Sequence, residues 1–84
     1  MDKGTLWLKP IGSNQTEARL KNGLMILFSY STPVAIRNSA GREFFTTTKF
    51  SNTTSRHINK WLYDKKNATP ISQQEIVMEI GEAV

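Results

Sequence analysis

The chain has 84 residues and no cysteine, so one small domain is expected, which buries only about 60% of its surface on folding and has no disulfide or thiolate site. Its net charge of +4 is uneven: residues 31–66 hold seven Lys or Arg and two acids, whereas residues 67–84 hold three Glu and no cation. The longest apolar run, residues 24–28, is too short to span a bilayer, and the N-terminus lacks an apolar signal segment, so we expect a soluble cytoplasmic protein without membrane contact.

The first third of the chain predicts a strand followed by a β-hairpin. Residues 5–9 alternate as Thr-Leu-Trp-Leu-Lys and predict a strand, which Pro10 and Gly12 are expected to end. The hairpin pairs residues 15–20 with residues 24–30 around a Lys-Asn-Gly turn. A two-residue Asn-Gly loop is possible, but a three-residue loop with a left-handed glycine separates the apolar and polar faces better.

In that register, one face of the hairpin collects most of its apolar side chains. The face comprises Thr16, Ala18, Leu20, Leu24, Ile26 and Phe28. Since Met25 and Leu27 on the other face are also apolar, we expect the strand at 24–30 to be central and covered on both sides.

A second hairpin is predicted after the Ser31-Thr32-Pro33 interruption, in which the proline removes a ladder donor. Residues 34–37 and 42–48 are good strand formers and are expected to pair across a turn at 38–41.

Residues 54–65 predict an amphipathic helix. Ile58, Trp61 and Leu62 fall at i, i+3 and i+4 and therefore share one face. A threonine at 53–54 is expected to cap its start, and the lysines at its end suit the negative pole of the helix dipole. We expect this face and the apolar face of the first hairpin to build the core.

Residues 67–84 predict a second, short helix. The run Ser72-Gln73-Gln74-Glu75 has the capping-box pattern, and Ile71 and Ile76 stand where a hydrophobic staple requires them. The apolar stripe comprises Ile76, Val77 and Ile80. Gly81 is expected to end the helix, which is too short to persist without docking.

Together these elements predict an α+β fold, with an antiparallel sheet of four to five strands packed by one amphipathic helix, plus a short C-terminal helix. We expect residues 1–66 to form the α+β core domain. Residues 67–84 are expected to form an acidic helical tail that packs on the core or on a partner, with a homodimer through the C-terminal helix as one form of that partner.

The sequence offers little catalytic chemistry. His57 is the only histidine, and its neighbours give no base–nucleophile or metal-ligand spacing. No glycine-rich phosphate loop occurs either. We interpret His57 as a structural or surface residue and expect a non-enzymatic protein without a cofactor or metal.

The basic middle suggests an anionic partner, although a solvated surface without a ligand would also account for it. Nucleic acid, DNA or RNA, is slightly favoured; the alternative is an adaptor or inhibitor that masks an acidic surface of a host factor. The candidate contact residues are Arg37, Arg42, Lys49, Arg56, Lys60, Tyr63, Lys65 and Lys66, with Tyr30, Phe45, Phe50 or Tyr63 available for base stacking. Trp7 and Trp61 are expected in the core.

Three longer motifs stand out: Asn-x-Thr-Glu at 14–17, Phe-Ser-Tyr-x-Thr-Pro-Val-Ala at 28–35, and Thr-Ser-x-His-Ile-Asn-x-Trp-Leu at 54–62. Together they resemble a family of small proteins of unknown function encoded by tailed phages and mobile elements. The resemblance covers about residues 12–62 and leaves the acidic tail outside. It implies a viral accessory protein in the cytoplasm of an infected or host cell, and it implies no activity, cofactor or catalytic residue.

Overall fold

The computed structural model describes residues 6–83. These residues form one six-stranded sheet with a helix on each face. The elements are β1 Leu6–Gly12, β2 Gln15–Leu20, β3 Met25–Ser29, β4 Thr32–Arg37, β5 Glu43–Thr46, α1 Asn52–Trp61, β6 Thr69–Ile71 and α2 Gln73–Ala83. The strands lie in chain order, antiparallel from β1 to β5, while β6 pairs parallel with β5. The fold is therefore α+β as predicted, but the sheet is mixed and has six strands rather than four or five.

Two prolines lie inside strands where the sequence analysis placed breaks. β1 continues through Pro10 to Gly12, because an edge strand has no neighbour on its outer side that needs the missing N–H. β4 begins at Thr32 and includes Pro33, which has no partner in β5 since that strand pairs only with residues 35–37. Thr5, the predicted start of the first strand, lies outside the described residues.

The first hairpin has the predicted register. Thr16 lies opposite Phe28 and Ala18 opposite Ile26, and the Leu20 N–H donates to the Leu24 carbonyl at 2.8 Å. Gly23 has φ +95°, in the left-handed region that favours glycine. The three-residue loop is therefore confirmed.

β3 is central and covered on both sides, as predicted, but its two faces bury separate clusters. On the α1 face the buried residues are Leu27, Val34, Ala35, Ile58, Trp61 and Leu62. On the α2 face they are Ala18, Leu20, Leu24, Ile26, Ile36 and Ile76, with Phe28 half-buried beside them. The apolar stripe of α1 therefore does not meet the apolar face of the first hairpin, because that face points to the other side of the sheet.

α1 spans Asn52–Trp61 rather than residues 54–65. Its N-cap is Ser51 and not a threonine at 53–54: the Ser51 Oγ accepts from the Thr54 N–H at 3.0 Å. The backbone turns extended at Leu62, so Lys65 and Lys66 follow the helix instead of ending it.

α2 has the predicted capping box. The Glu75 N–H donates to the Ser72 Oγ at 3.1 Å, and the Ser72 N–H donates to the Glu75 Oε1 at 3.0 Å. Ile76 is completely buried against the sheet, whereas Val77 is exposed and does not belong to the buried stripe. The helix does not end at Gly81 but continues to Ala83, since a glycine in a helix costs only about 1 kcal/mol relative to alanine.

Among the described residues, no helix has both the length and the apolar character needed to cross a membrane.

Candidate functional site

The second and third sequence motifs meet beneath α1. The Ser29 Oγ lies 2.8 Å from the His57 Nδ1 and 2.9 Å from the Thr54 Oγ1. All three side chains are buried, with Ser29 only 2% exposed. These hydrogen bonds satisfy polar groups in the interior and hold α1 against the end of β3, so His57 is a buried residue with a packing role.

The first motif joins the same region. The Trp61 Nε1 donates to the Glu17 Oε1 at 2.8 Å and so joins α1 to β2. The Tyr30 N–H donates to the Asn14 carbonyl at 2.7 Å and so connects two turns at one end of the sheet. Glu17 from the first motif and Ser29 from the second therefore both hold α1 on the sheet.

Arg37, a predicted contact residue, lies in the interior. Its Nε and Nη2 donate to the Glu43 Oε2 at 2.9 and 2.8 Å, and Nη2 also donates to the Trp61 carbonyl at 3.1 Å. The guanidinium lies 4.3 Å from the Trp61 ring centroid and 3.9 Å from that of Tyr63. Arg37 is thus committed to protein groups and is not a surface cation; including it among the surface contacts was wrong.

Glu43 organises the turn that follows α1. Burial raises the pKa of Glu43, but the Tyr63 N–H, the Arg37 guanidinium and the Asp64 N–H outweigh that effect, so its pKa lies below the ordinary value of 4.5. The Tyr63 and Asp64 amides donate to the carboxylate at 2.9 and 3.1 Å. The carboxylate is therefore ionised at neutral pH. It fixes the backbone at Tyr63, which is exposed to solvent.

The other predicted contact residues are all exposed, in four places. They are Arg42 in the β4–β5 turn, Lys49 before α1, Arg56 and Lys60 on α1, and Tyr63, Lys65 and Lys66 in the turn after α1. Arg56 and Lys60 are one helical turn apart on the face of α1 that points away from the sheet. The Lys65 Nζ, by contrast, donates to the Asn59 Oδ1 at 2.7 Å and lies 5.0 Å from the Phe45 ring centroid.

Three exposed residues on β1 and β2 were missed as site candidates. Trp7 lies opposite Arg19, and Lys9 lies opposite Glu17. Because the Glu17 side chain accepts a hydrogen bond from Trp61 of α1, these two opposed pairs of side chains lie on the α1 face of the sheet. The alternation of residues 5–9 shows which side chains share a face, but only the pairing of strands brings Trp7 and Lys9 beside Arg19.

Trp7 is 54% exposed, so its predicted place in the core was wrong. The helices do not reach it, because α1 packs on β3 while α2 packs on β4 and β5. Trp61, for which the same prediction was made, is buried.

A groove of about 350 Å³ runs between α1 and the β1–β2 side of the sheet. Its lining includes Glu17, Arg19, Met25, Lys60 and Tyr63. A second hollow, lined by Trp7, Leu8, Lys9, Glu17 and Arg19, shares two of these residues and continues the groove to the edge of the sheet. We call the two hollows together the α1-side groove.

The opposite side of the molecule is acidic. α2 carries Glu75, Glu79 and Glu82, which are all exposed, and it carries no cation. The sheet therefore separates a basic α1 side from an acidic α2 side, and the molecule is electrically polarised. Within residues 7–83, no group of three or more His, Cys, Asp or Glu side chains is arranged to hold a metal ion.

The sequence model of a family of unknown function, DUF8033, matches residues 6–78, and the chain belongs to this family. The match begins at β1 and includes about half of α2, so it extends beyond the residues 12–62 over which the motifs carry the resemblance. No curated protein and no solved structure matches the chain.

Proposed function

We propose that this protein is a non-enzymatic accessory protein of a phage or mobile element that binds nucleic acid through its basic α1 side. The segregation of charge carries the proposal: exposed cations lie on and around α1 and on the adjoining strands, and the carboxylates of α2 lie on the opposite side. Nucleic acid binds most strongly to a surface on which Lys and Arg are clustered, because each phosphate that is neutralised releases a condensed counterion.

Arg56 and Lys60 are the cations best placed to contact phosphates. Both are exposed on the outer face of α1, and neither forms a hydrogen bond or ion pair within the described residues. Replacing them therefore removes charge from the surface without leaving a buried partner unpaired, so stability should change by about 0.5 kcal/mol or less.

The three motifs at 14–17, 28–35 and 54–62 support the phage or mobile-element part of the proposal, because these are the motifs by which the chain resembles such proteins. The place of action is then the cytoplasm of the infected or host cell.

Fluorescence anisotropy with labelled single- and double-stranded DNA and RNA tests the proposal. Affinity should fall by orders of magnitude between about 50 and 200 mM salt. In the double variant Arg56→Ala with Lys60→Ala, the slope of log K against log salt should fall by about one unit per lost phosphate contact. The matched control is Glu79→Ala with Glu82→Ala on α2, which should leave the slope unchanged. Failure to bind any of these nucleic acids at low salt would reject the proposal.

The alternative is a protein that masks an acidic surface of a host factor with the same cations. The exposed apolar side chains of Trp7, Leu8 and Ile11 favour it, since an apolar patch on the outermost strand of the described sheet suits a protein partner. A homodimer through α2 would use Val77 and Met78, which are exposed, because Ile76 is buried in its own core. Light scattering would give the mass that decides between monomer and dimer.

A further inference from the structure

We propose that the nucleic acid is single-stranded, that its bases stack on Trp7 and Tyr63, and that its phosphates follow the cations of the α1-side groove. This inference rests on the proposed nucleic-acid binding and names the class of strand that the site selects. Stacking on aromatic rings inside a basic groove is the general way in which proteins hold single strands without reading sequence.

Trp7 provides the first stacking surface. Trp7 is 54% exposed, on a part of the sheet that neither helix covers. A side chain of this size gains more than most from being covered, and its flat apolar face is open to a planar ligand.

Tyr63 provides the second stacking surface. The residue is 83% exposed, and one face of its ring contacts a neighbouring guanidinium. Arg37 stacks on one face of the ring at 3.9 Å, and the Tyr63 N–H is bound by Glu43. The other face of the ring is left for a base.

The register of the sheet places the two rings along one row. Trp7 lies opposite Arg19, Arg19 opposite Met25, and Met25 opposite Arg37, on which Tyr63 stacks. Neighbouring strands are about 4.8 Å apart, so Trp7 and Arg37 are separated by about 14 Å. This distance accommodates about four stacked nucleotides at ~3.4 Å each.

Cations line the path between the rings. Arg19 stands in the row itself, with Lys9 and Lys60 beside it. Glu17 is the one carboxylate in the lining of the groove, and each of its oxygens faces a donor group of the protein. Its Oε1 accepts from the Trp61 indole at 2.8 Å, and its Oε2 lies 4.0 Å from the Arg19 Nη2.

A double helix cannot use the two rings in this way. Its bases are already stacked on each other, and only unpaired bases can be splayed onto aromatic side chains. The exposed rings are therefore the feature that selects a single strand over a duplex, whereas the cations serve either.

Anisotropy with labelled oligo-dT, oligo-rU and a DNA duplex, each about 12 nucleotides or base pairs long, tests the inference on the full chain. Single strands should bind at least about tenfold more tightly than the duplex. Trp7→Ala and Tyr63→Ala should each weaken single-strand binding by about 5- to 150-fold, the equivalent of one stacked base, while Trp7→Phe and Tyr63→Phe retain most of it.

The control is Met78→Ala, which should leave single-strand affinity unchanged. Met78 is 54% exposed, as Trp7 is, but it belongs to α2 on the opposite side of the sheet. Quenching of tryptophan emission by oligo-dT should also be lost in Trp7→Phe, since Trp61 is buried. Thermal midpoints of the variants show that each remains folded.

The outcomes separate the two proposals. Equal affinity for single strand and duplex, with Trp7→Ala and Tyr63→Ala both unaffected, would overturn the stacking inference and leave nucleic-acid binding standing. No binding at all would overturn both. A dimer in light scattering that Trp7→Ala turns into a monomer, with no effect on oligonucleotide affinity, would overturn the inference by assigning Trp7 to self-association.

Discussion

Replacing Arg37 by methionine should destabilise the fold severely, although the residue was first assigned to a binding surface. Methionine keeps much of the apolar stem and removes the guanidinium, so Glu43 is left as a buried carboxylate with only the Tyr63 and Asp64 amides to satisfy it. The Trp61 carbonyl loses its donor as well. Breaking a buried ion pair by removing one partner costs about 3–5 kcal/mol.

That loss is a large part of the stability of a domain of this size, which at about 0.05–0.15 kcal/mol per residue is about 4–13 kcal/mol. Urea unfolding followed by tryptophan emission measures this loss of stability, because Trp61 is buried beside Arg37 and becomes exposed on unfolding. The matched control is Arg19→Met, which removes the exposed partner of Glu17 at 4.0 Å and should cost about 1 kcal/mol or less.

A loss below about 1 kcal/mol for Arg37→Met would refute the reasoning, since that is the range of surface pairs. Combining Arg37→Met with Glu43→Gln should recover part of the lost stability, because the uncompensated charge is then gone. If the double variant is instead as unstable as the sum of the two single variants, the ion pair is not what holds the turn after α1.

Three further predictions concern stability. Trp61→Ala should cost about 3–5 kcal/mol in urea unfolding because the indole is buried; an unchanged midpoint would place it outside the core. Ser72→Ala should cost about 1 kcal/mol through loss of the capping box, with Gln74→Ala in the same turn as a control that leaves the thermal midpoint nearly unchanged. Stability should also fall in acid: the folded pKa of Glu43 is lowered, so its contribution is full above the unfolded value, near 4.5, and is lost as the pH falls through the folded value. Glu43→Gln should flatten that part of the curve of stability against pH, and a curve that keeps its wild-type slope would contradict this assignment.

Local patterns were sufficient for the elements that are decided by neighbours in the chain. The Lys-Asn-Gly turn has the predicted loop because Gly23 adopts a positive φ, and that choice sets the pairing of Thr16 with Phe28. The capping box at Ser72 and Glu75 forms as predicted since both partners lie within one helical turn. In each case the interactions that fix the structure join residues only a few positions apart.

The features of the candidate site were decided by contacts that join distant parts of the chain. Residues 69–71 return to pair with β5, which makes the sheet mixed and brings α2 onto the second face. Arg37 is interior because Glu43, Trp61 and Tyr63 pack around it. The neighbouring sequence does not distinguish it from a surface cation.

Trp7 shows the opposite error, because a residue expected in the core lies at the surface. Its place in the apolar run Leu6-Trp7-Leu8 predicts burial, but neither helix packs on β1, the outermost strand of the described sheet, so Trp7 is exposed. By itself the sequence determined which side chains share a face of a strand or helix, because those periods are properties of the local backbone. Only the tertiary structure decided which faces are covered, since that depends on where α1 and α2 find the largest apolar area to bury.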